Sequence, residues 1–236
     1  MCNLYSNTAT VSELRQSFQI SSTHDHLGNY PPLEAIYPRN LAPVIKPYSS
    51  DERQISMMSW GFLTPAFSKR DGKPIKPQVW NNARDDKLNQ ATLWRESFLH
   101  NRCLIPATSY CETKGRKPAE YYWFGVREEN NTLNDIHLFA IAGLWRLEDS
   151  NKHGESARGE HFTMVTTQGN DLVKPIHAKG RMPAILDPKD YERWLFGSIQ
   201  DALELLKPYP QERMKILKHG LNEKSNPRRP IESDYL

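Results

Sequence analysis

Residues 102–114 read RCLIPATSYCETK, an apolar strand that ends where Glu112 meets a charged turn. Further strand candidates follow with no helical pattern between them: EYYWFGVRE at 120–128, IHLFAIAGLWRL at 136–147 and EHFTMVTTQGN at 160–170. Short runs rich in β-branched and aromatic residues, bounded by polar turns, are strand signals. Strands that follow one another, instead of alternating with helices, point to an α+β fold with mixed, mostly antiparallel strands.

Helical patterns flank this block. Upstream, DDKLNQATLWRESFLHN (85–101) puts Leu88, Ala91, Trp94 or Arg95, and Phe98 in helical register. Near the start, TATVSELRQSFQI sets Val11, Leu14 and Phe18 on one face, with Thr8 or Thr10 as cap. Downstream, Asp187-Pro188-Lys189-Asp190 opens a helix, with Asp187 as cap and Pro188 at its first position. Tyr191, Trp194 and Leu195 would be its buried residues, and SIQDALELLKP a second short helix. Between the early helix and the strands, residues 24–47 are proline-punctuated and read as irregular. QISMMSWGFLT reads as a strand entering a loop, and PAFSKRDGKPIKPQVWNNAR (65–84) as a polar, basic excursion without periodicity. The tail from Gly220 reads as irregular, and LEDSNKHGESARGEH (147–161) as a charged loop. No composition break divides the chain, so one domain over 1–236 is expected.

The bulk numbers exclude several classes. Hydrophobic residues make up 38% of the 236, and the longest apolar run, LFAIAGLW, is far short of the ~20 residues of a membrane helix. The formal net charge of +3 is too small to argue for nucleic acid by itself. Cys2, Cys103 and Cys111 are an odd number with no CxxC. That argues against a disulfide scaffold and a zinc site, and suits a reducing, cytoplasmic setting.

Cys2 stands directly behind Met1, in a start with neither the basic end nor the apolar run of a signal peptide. If Met1 is removed, Cys2 carries an amine and a thiol on adjacent carbons. An α-amine has a pKa near ~8, so a useful fraction is neutral at pH 7. The amine can attack an aldehyde to give a Schiff base, and the thiol can close onto the imine carbon as a thiazolidine. Position alone also allows Cys2 to be incidental. Other candidates carry similar pairs of readings. In WNNARDD (80–86), Asn82 and Arg84 are turn formers and caps, or a hydrogen-bond donor and an anion site. Glu112 is a solvated strand end or a general acid and base. His177 is structural or catalytic, and a hairpin would bring Thr166 and Thr167 toward it. Trp60, Phe62, Phe67 and Trp80 interleave with Lys69, Arg70, Lys73 and Lys76, either as core aromatics beside a solvated loop or as stacking planes beside phosphate contacts.

Taken in order, the motifs resemble one family. They are Met1-Cys2, Leu41-Ala42-Pro43, Trp60-Gly61-Phe62, Asn82-Ala83-Arg84, Arg102 to Ala107 with Glu112, Ala142 to Trp145, Val165 to Thr167, and Ile176-His177 with Arg181-Met182-Pro183. This is similar to the SRAP family, the SOS-response-associated peptidase-like proteins that shield abasic sites, over about residues 2–196, with a C-terminal extension to 236. The resemblance implies a barrel-like fold with flanking helices. It implies binding of single-stranded DNA at abasic sites, self-removal of Met1, and a thiazolidine crosslink through Cys2. By position, Cys2 is then the nucleophile, Asn82 orients it, Glu112 shuttles protons, and His177 assists sugar ring opening. Arg84 and Thr166 become phosphate contacts, Trp60 a wedge against bases, and Arg181, Lys69 and Arg70 DNA contacts. Where the family continues Met-Cys-Gly-Arg, this chain has Asn3 and Leu4, and a three-residue spacer, Ala-Lys-Gly, separates His177 from Arg181. No cofactor or metal, a monomer, and a cytoplasmic place (nucleoid-associated in a bacterium) are expected. A thiol peptidase acting on peptides, with Cys2 as nucleophile and His177 as base, is the second reading. A non-catalytic single-stranded nucleic-acid binding module is the third.

Overall fold

The computed structural model describes residues 2–127, 136–148, 159–222 and 224–227. The chain opens with β1 (Tyr5–Asn7) and α1 (Val11–Phe18), whose start is fixed by a capping box between Thr10 and Glu13. β2 (Leu33–Ile36), β3 (Leu41–Pro47) and β4 (Arg53–Trp60) come next. The stretch expected to be irregular therefore holds two strands, because Pro43 and Pro47 fit extended backbone as well as a turn. β5 (Phe62–Phe67) and β6 (Pro74–Trp80) form a two-stranded hairpin from the segment that showed no periodicity. It is exposed along much of its length, so no buried face imposes a pattern on it.

β7 (Asn82–Arg84) leads to α2 (Thr92–His100), which starts later than its apolar pattern suggested; Asp85–Lys87 is instead a short 3-10 turn. RCLIPATSYCETK is split into β8 (Arg102–Ala107) and β9 (Ser109–Lys114). β10 (Glu120–Val126), β11 (Phe139–Glu148) and β12 (Gly159–Gln168) match the expected strands. Most of the charged 147–161 loop lies outside the described residues. β13 (Arg181–Pro183), β14 (Ile185–Leu186), α3 (Tyr191–Phe196), α4 (Ile199–Leu205) and β15 (Met214–Leu221) complete the order. Asp187 does not cap α3. Its carboxylate accepts from the Tyr209 hydroxyl (3.0 Å) and Arg213 (2.8 Å).

β12, β4, β3, β8 and β11 pair in that order, and β11 pairs back to β12, closing a barrel. Only the β12–β4 contact in the ring is parallel. Alternate barrel residues feed two cores. Ile45, Leu104, Ala142 and Val165 pack with the helical residues Phe18, Trp94, Phe98 and Trp194. Val44, Ile105, Ile141, Phe162 and Met164 pack into a second core that reaches Cys2, Tyr5 and Tyr110. Strands buried on both faces explain the unbroken apolar runs of the sequence. Gly143 is required where β8 crosses closest, since a Cβ there would lie 2.8 Å from the Ile105 side chain. Arg102 donates to the carbonyls of Phe98 (3.1 Å), Trp194 (2.5 Å) and Gly197, tying the ends of α2 and α3 to the barrel. A second sheet, ordered β15, β10, β9, β1 and β2, extends from one side. β1 is its central connection to the N-terminus, lying between β9 and β2.

Candidate functional site

Insertion of β1 beside β9 carries the N-terminus into the interior. Cys2 is fully buried. Its carbonyl accepts from the side-chain amides of Asn82 (2.8 Å) and Asn81 (3.0 Å). Its thiol donates to the carbonyls of Leu4 (3.4 Å) and Cys111 (3.9 Å). Burial pushes the Cys2 thiol well above its ordinary range, and the nearby Glu112 carboxyl adds to this. The thiol is therefore held protonated. Asn82 reaches Cys2 because β7 runs parallel to β12, with Asn82 opposite Met164. The Asn-Asn pair is thus a strand entry and not a turn cap.

Glu112 stands on β9, opposite Tyr122 of β10, and is 4% exposed. Removal from water raises its carboxyl from an ordinary glutamate range to about 8. His177 sits in the turn that joins β12 to β13, anchored by buried Val173 and Ile176. Its Nδ1 accepts from the backbone N–H of Lys179 and of Arg181, each at 3.1 Å. That pattern leaves the proton of the neutral ring on Nε2, which faces Glu112 Oε2 at 3.7 Å. Burial, with the cations Arg181 and Lys179 adding to it, lowers the imidazole to about 4. At neutral pH the pair is a mostly protonated carboxyl beside a neutral imidazole. The expected hairpin does form, but Thr166 and Thr167 pair with Pro183 and Met182, not with His177.

Several polar atoms around this cluster have no hydrogen-bond partner among the described residues: Asn82 Oδ1 and the hydroxyls of Tyr5 and Tyr110. Buried unsatisfied groups are rare in folded proteins and call for an explanation. Asn82 Oδ1 is an unused acceptor on the same amide that holds Cys2, suited to a donor such as an amine. A cleft of about 280 Å³ reaches Glu112 from the surface, bordered by Asn3, Tyr37, Thr113, Tyr121 and Lys224. No group of three or more His, Cys, Asp or Glu placed to hold a metal occurs among the described residues.

The candidate DNA contacts separate into two groups. Lys69 and Arg70 lie at the exposed tip between β5 and β6, near exposed Phe67 and Ile75, while exposed Trp80 pairs with Phe62 at the other end of the hairpin. Arg84 is half exposed and bonds both oxygens of Asp86, at 2.9 and 2.7 Å. Arg181 is largely buried, bonding Asp85 at 2.7 Å and the Thr166 backbone and hydroxyl. Two expectations need correction. Trp60 is fully buried between Tyr5 and Phe162, so its ring offers no face to a base. Thr166 is 1% exposed, its hydroxyl bonding the Ala83 carbonyl at 3.3 Å, which leaves it no face for a phosphate. Cys103 and Cys111 are both buried in strands. Asn81 is the residue that sequence reasoning missed. Two adjacent asparagines were visible, but only the fold shows both amides turned to Cys2.

The fold and this cluster define an α+β barrel protein built around a buried N-terminal cysteine. Residues 1–219 match the model of the family described as SOS response associated peptidase (SRAP), and the chain belongs to that family. It is 27% identical over 222 residues to the abasic site processing protein YoqW of Bacillus subtilis, covering 91% of this chain and 90% of that one. It is also 27% identical over 191 residues to an abasic site processing protein of Saccharomyces cerevisiae, covering 77% of this chain and 46% of that one. A crystal structure of a protein from Bacteroides thetaiotaomicron superposes with a TM-score of 0.70 at 25% identity, covering 93% and 91% of the two chains.

Proposed function

We propose that this protein acts at abasic sites in single-stranded DNA and joins its N-terminal cysteine covalently to the lesion. The observation that carries the reading is the fixed carbonyl of Cys2 beside a buried Glu112–His177 pair. The names of the relatives agree with an abasic-site substrate.

Removal of Met1 frees the α-amine of Cys2. The amine adds to the C1′ aldehyde of the ring-opened deoxyribose, giving a carbinolamine. Protonated Glu112 donates to the departing hydroxyl, water leaves, and a Schiff base remains. Sγ then adds to the carbon of this protonated Schiff base while the Glu112 carboxylate takes the thiol proton, closing the thiazolidine and restoring the acid. His177 offers its Nε2–H as a hydrogen bond, to the sugar ring oxygen during opening, when the C1′ hydroxyl proton passes to that oxygen, and to Glu112 afterwards. Because the thiol is held protonated, the amine reacts first. This same feature disfavours a peptidase acting on peptides, which needs a thiolate stabilised by a cation.

Incubation of Cys2→Ala with an abasic oligonucleotide tests the reading. The variant is expected to lose the complex that survives denaturation while retaining salt-sensitive DNA binding. A crosslink as abundant as the wild type's would remove the aminothiol from the mechanism.

A further inference from the structure

We infer that Asn81 is a positioning residue for Cys2, acting together with Asn3; this rests on the crosslinking reading above. Asn81 Nδ2 donates both to the Cys2 carbonyl (3.0 Å) and to Asn3 Oδ1 (2.8 Å). The Asn81 backbone carbonyl is itself held twice, by the Trp60 indole N–H (2.8 Å) and by the Met164 N–H (3.1 Å). Both donors belong to fully buried residues of the barrel. A rigid wall therefore ends in one amide that bridges the reacting residue and its neighbour.

The bridge restrains the peptide unit that follows the Cys2 α-carbon and the side chain of Asn3 beyond it. With Asn82 on the same carbonyl at 2.8 Å, the peptide plane that leads from the Cys2 α-carbon is held by two amides. The bridge spends its donors within the chain: Trp60 and Met164 are buried, and Asn81 Nδ2 is taken by Cys2 and Asn3. Loss of the bridge should therefore slow the chemical step and leave DNA capture unchanged. Misplacement of a reacting group by a small distance costs up to about 100-fold in rate. Asn3 has no other assigned part here: its role is to fix the rotamer of Asn81, so its effect passes through Asn81.

The test is single-turnover crosslinking by the mature full chain against rising concentrations of an abasic single-stranded oligonucleotide. For Asn81→Ala, the maximal rate is expected to fall about tenfold or more, with the half-saturating concentration within about twofold of wild type. Asn3→Ala should give a smaller fall, and the double variant should be no slower than Asn81→Ala alone. Intact mass confirms Met1 removal in each variant, and thermal melting confirms the fold. An unchanged maximal rate in folded, processed Asn81→Ala overturns the inference while the crosslinking reading stands. A loss seen only in the half-saturating concentration also overturns it, making Asn81 a DNA contact. Additive rates in the double variant overturn the part given to Asn3. A wild type that forms no crosslink overturns the function itself and the inference with it.

Discussion

Glu112 and His177 have environments that displace their pKa values in opposite directions, and pH separates their contributions. In the proposed crosslinking the amine of Cys2 must be neutral, with a pKa near ~8, whereas Glu112 must be protonated and loses its proton at about 8. The crosslinking rate should follow a bell with its maximum near that value. Glu112→Gln should lower the rate by about 100-fold, within the usual worth of a general acid, and remove the alkaline limb. A bell unchanged by the substitution would take Glu112 out of the proton path. The same group ties stability to pH. Its folded pKa lies above the unfolded one, so its contribution is full below about 4.5 and is lost as pH rises through about 8. His177, lowered to about 4, contributes fully above about 6.5 and loses its contribution as pH falls through about 4. Thermal melting should therefore show Glu112→Gln gaining on the wild type between about pH 4.5 and 8. A constant difference across that range would mean that Glu112 titrates normally in the fold.

The β5–β6 hairpin and the barrel wall divide the aromatic-basic stretch that looked uniform in sequence. Lys69 and Arg70 at the exposed tip are free to meet phosphates, while Trp60 is core. Lys69→Ala and Arg70→Ala should each reduce the salt slope of DNA binding by about one, measured by titration at several ionic strengths. A slope equal to the wild type's would place the DNA elsewhere. Trp60→Ala should cost stability, about 3–5 kcal/mol by denaturant unfolding, as deletion of a large core side chain does. A stable variant with weakened base stacking would restore Trp60 to the DNA. The sequence made the double-faced strands legible because continuous burial writes continuous apolar runs, as in LFAIAGLW. Capping chemistry did the same for α1, through Thr10 and Glu13. The hairpin was not legible, since its exposed strands carry no alternation. The burial of Trp60 was not legible either, because a tryptophan beside lysines has one signature whether it faces core or DNA.

Across the molecule, the fold brings three remote segments to the N-terminus. Cys2 and Asn3 lie against Asn81 and Asn82 from β6 to β7, Glu112 from β9, and His177 from the β12–β13 turn. The identities of Cys2, Asn82, Glu112 and His177 could be proposed from motif order. Their contacts could not, because the links span 80 residues between Cys2 and Asn82. Asn81 escaped notice for that reason, and it stands against Asn3 at the point where the family's glycine is replaced. The tail also takes part: Asn226 accepts from Ser109 at 3.0 Å, and Lys224 borders the cleft to Glu112. The central claim is that this assembly turns Cys2 into an aldehyde trap. Intact mass of the product formed with an abasic single-stranded oligonucleotide tests it most directly. The expected species is the chain without Met1, plus the oligonucleotide, less one water. Unjoined masses with Met1 still attached would contradict it and leave a nucleic-acid binding protein without the chemistry.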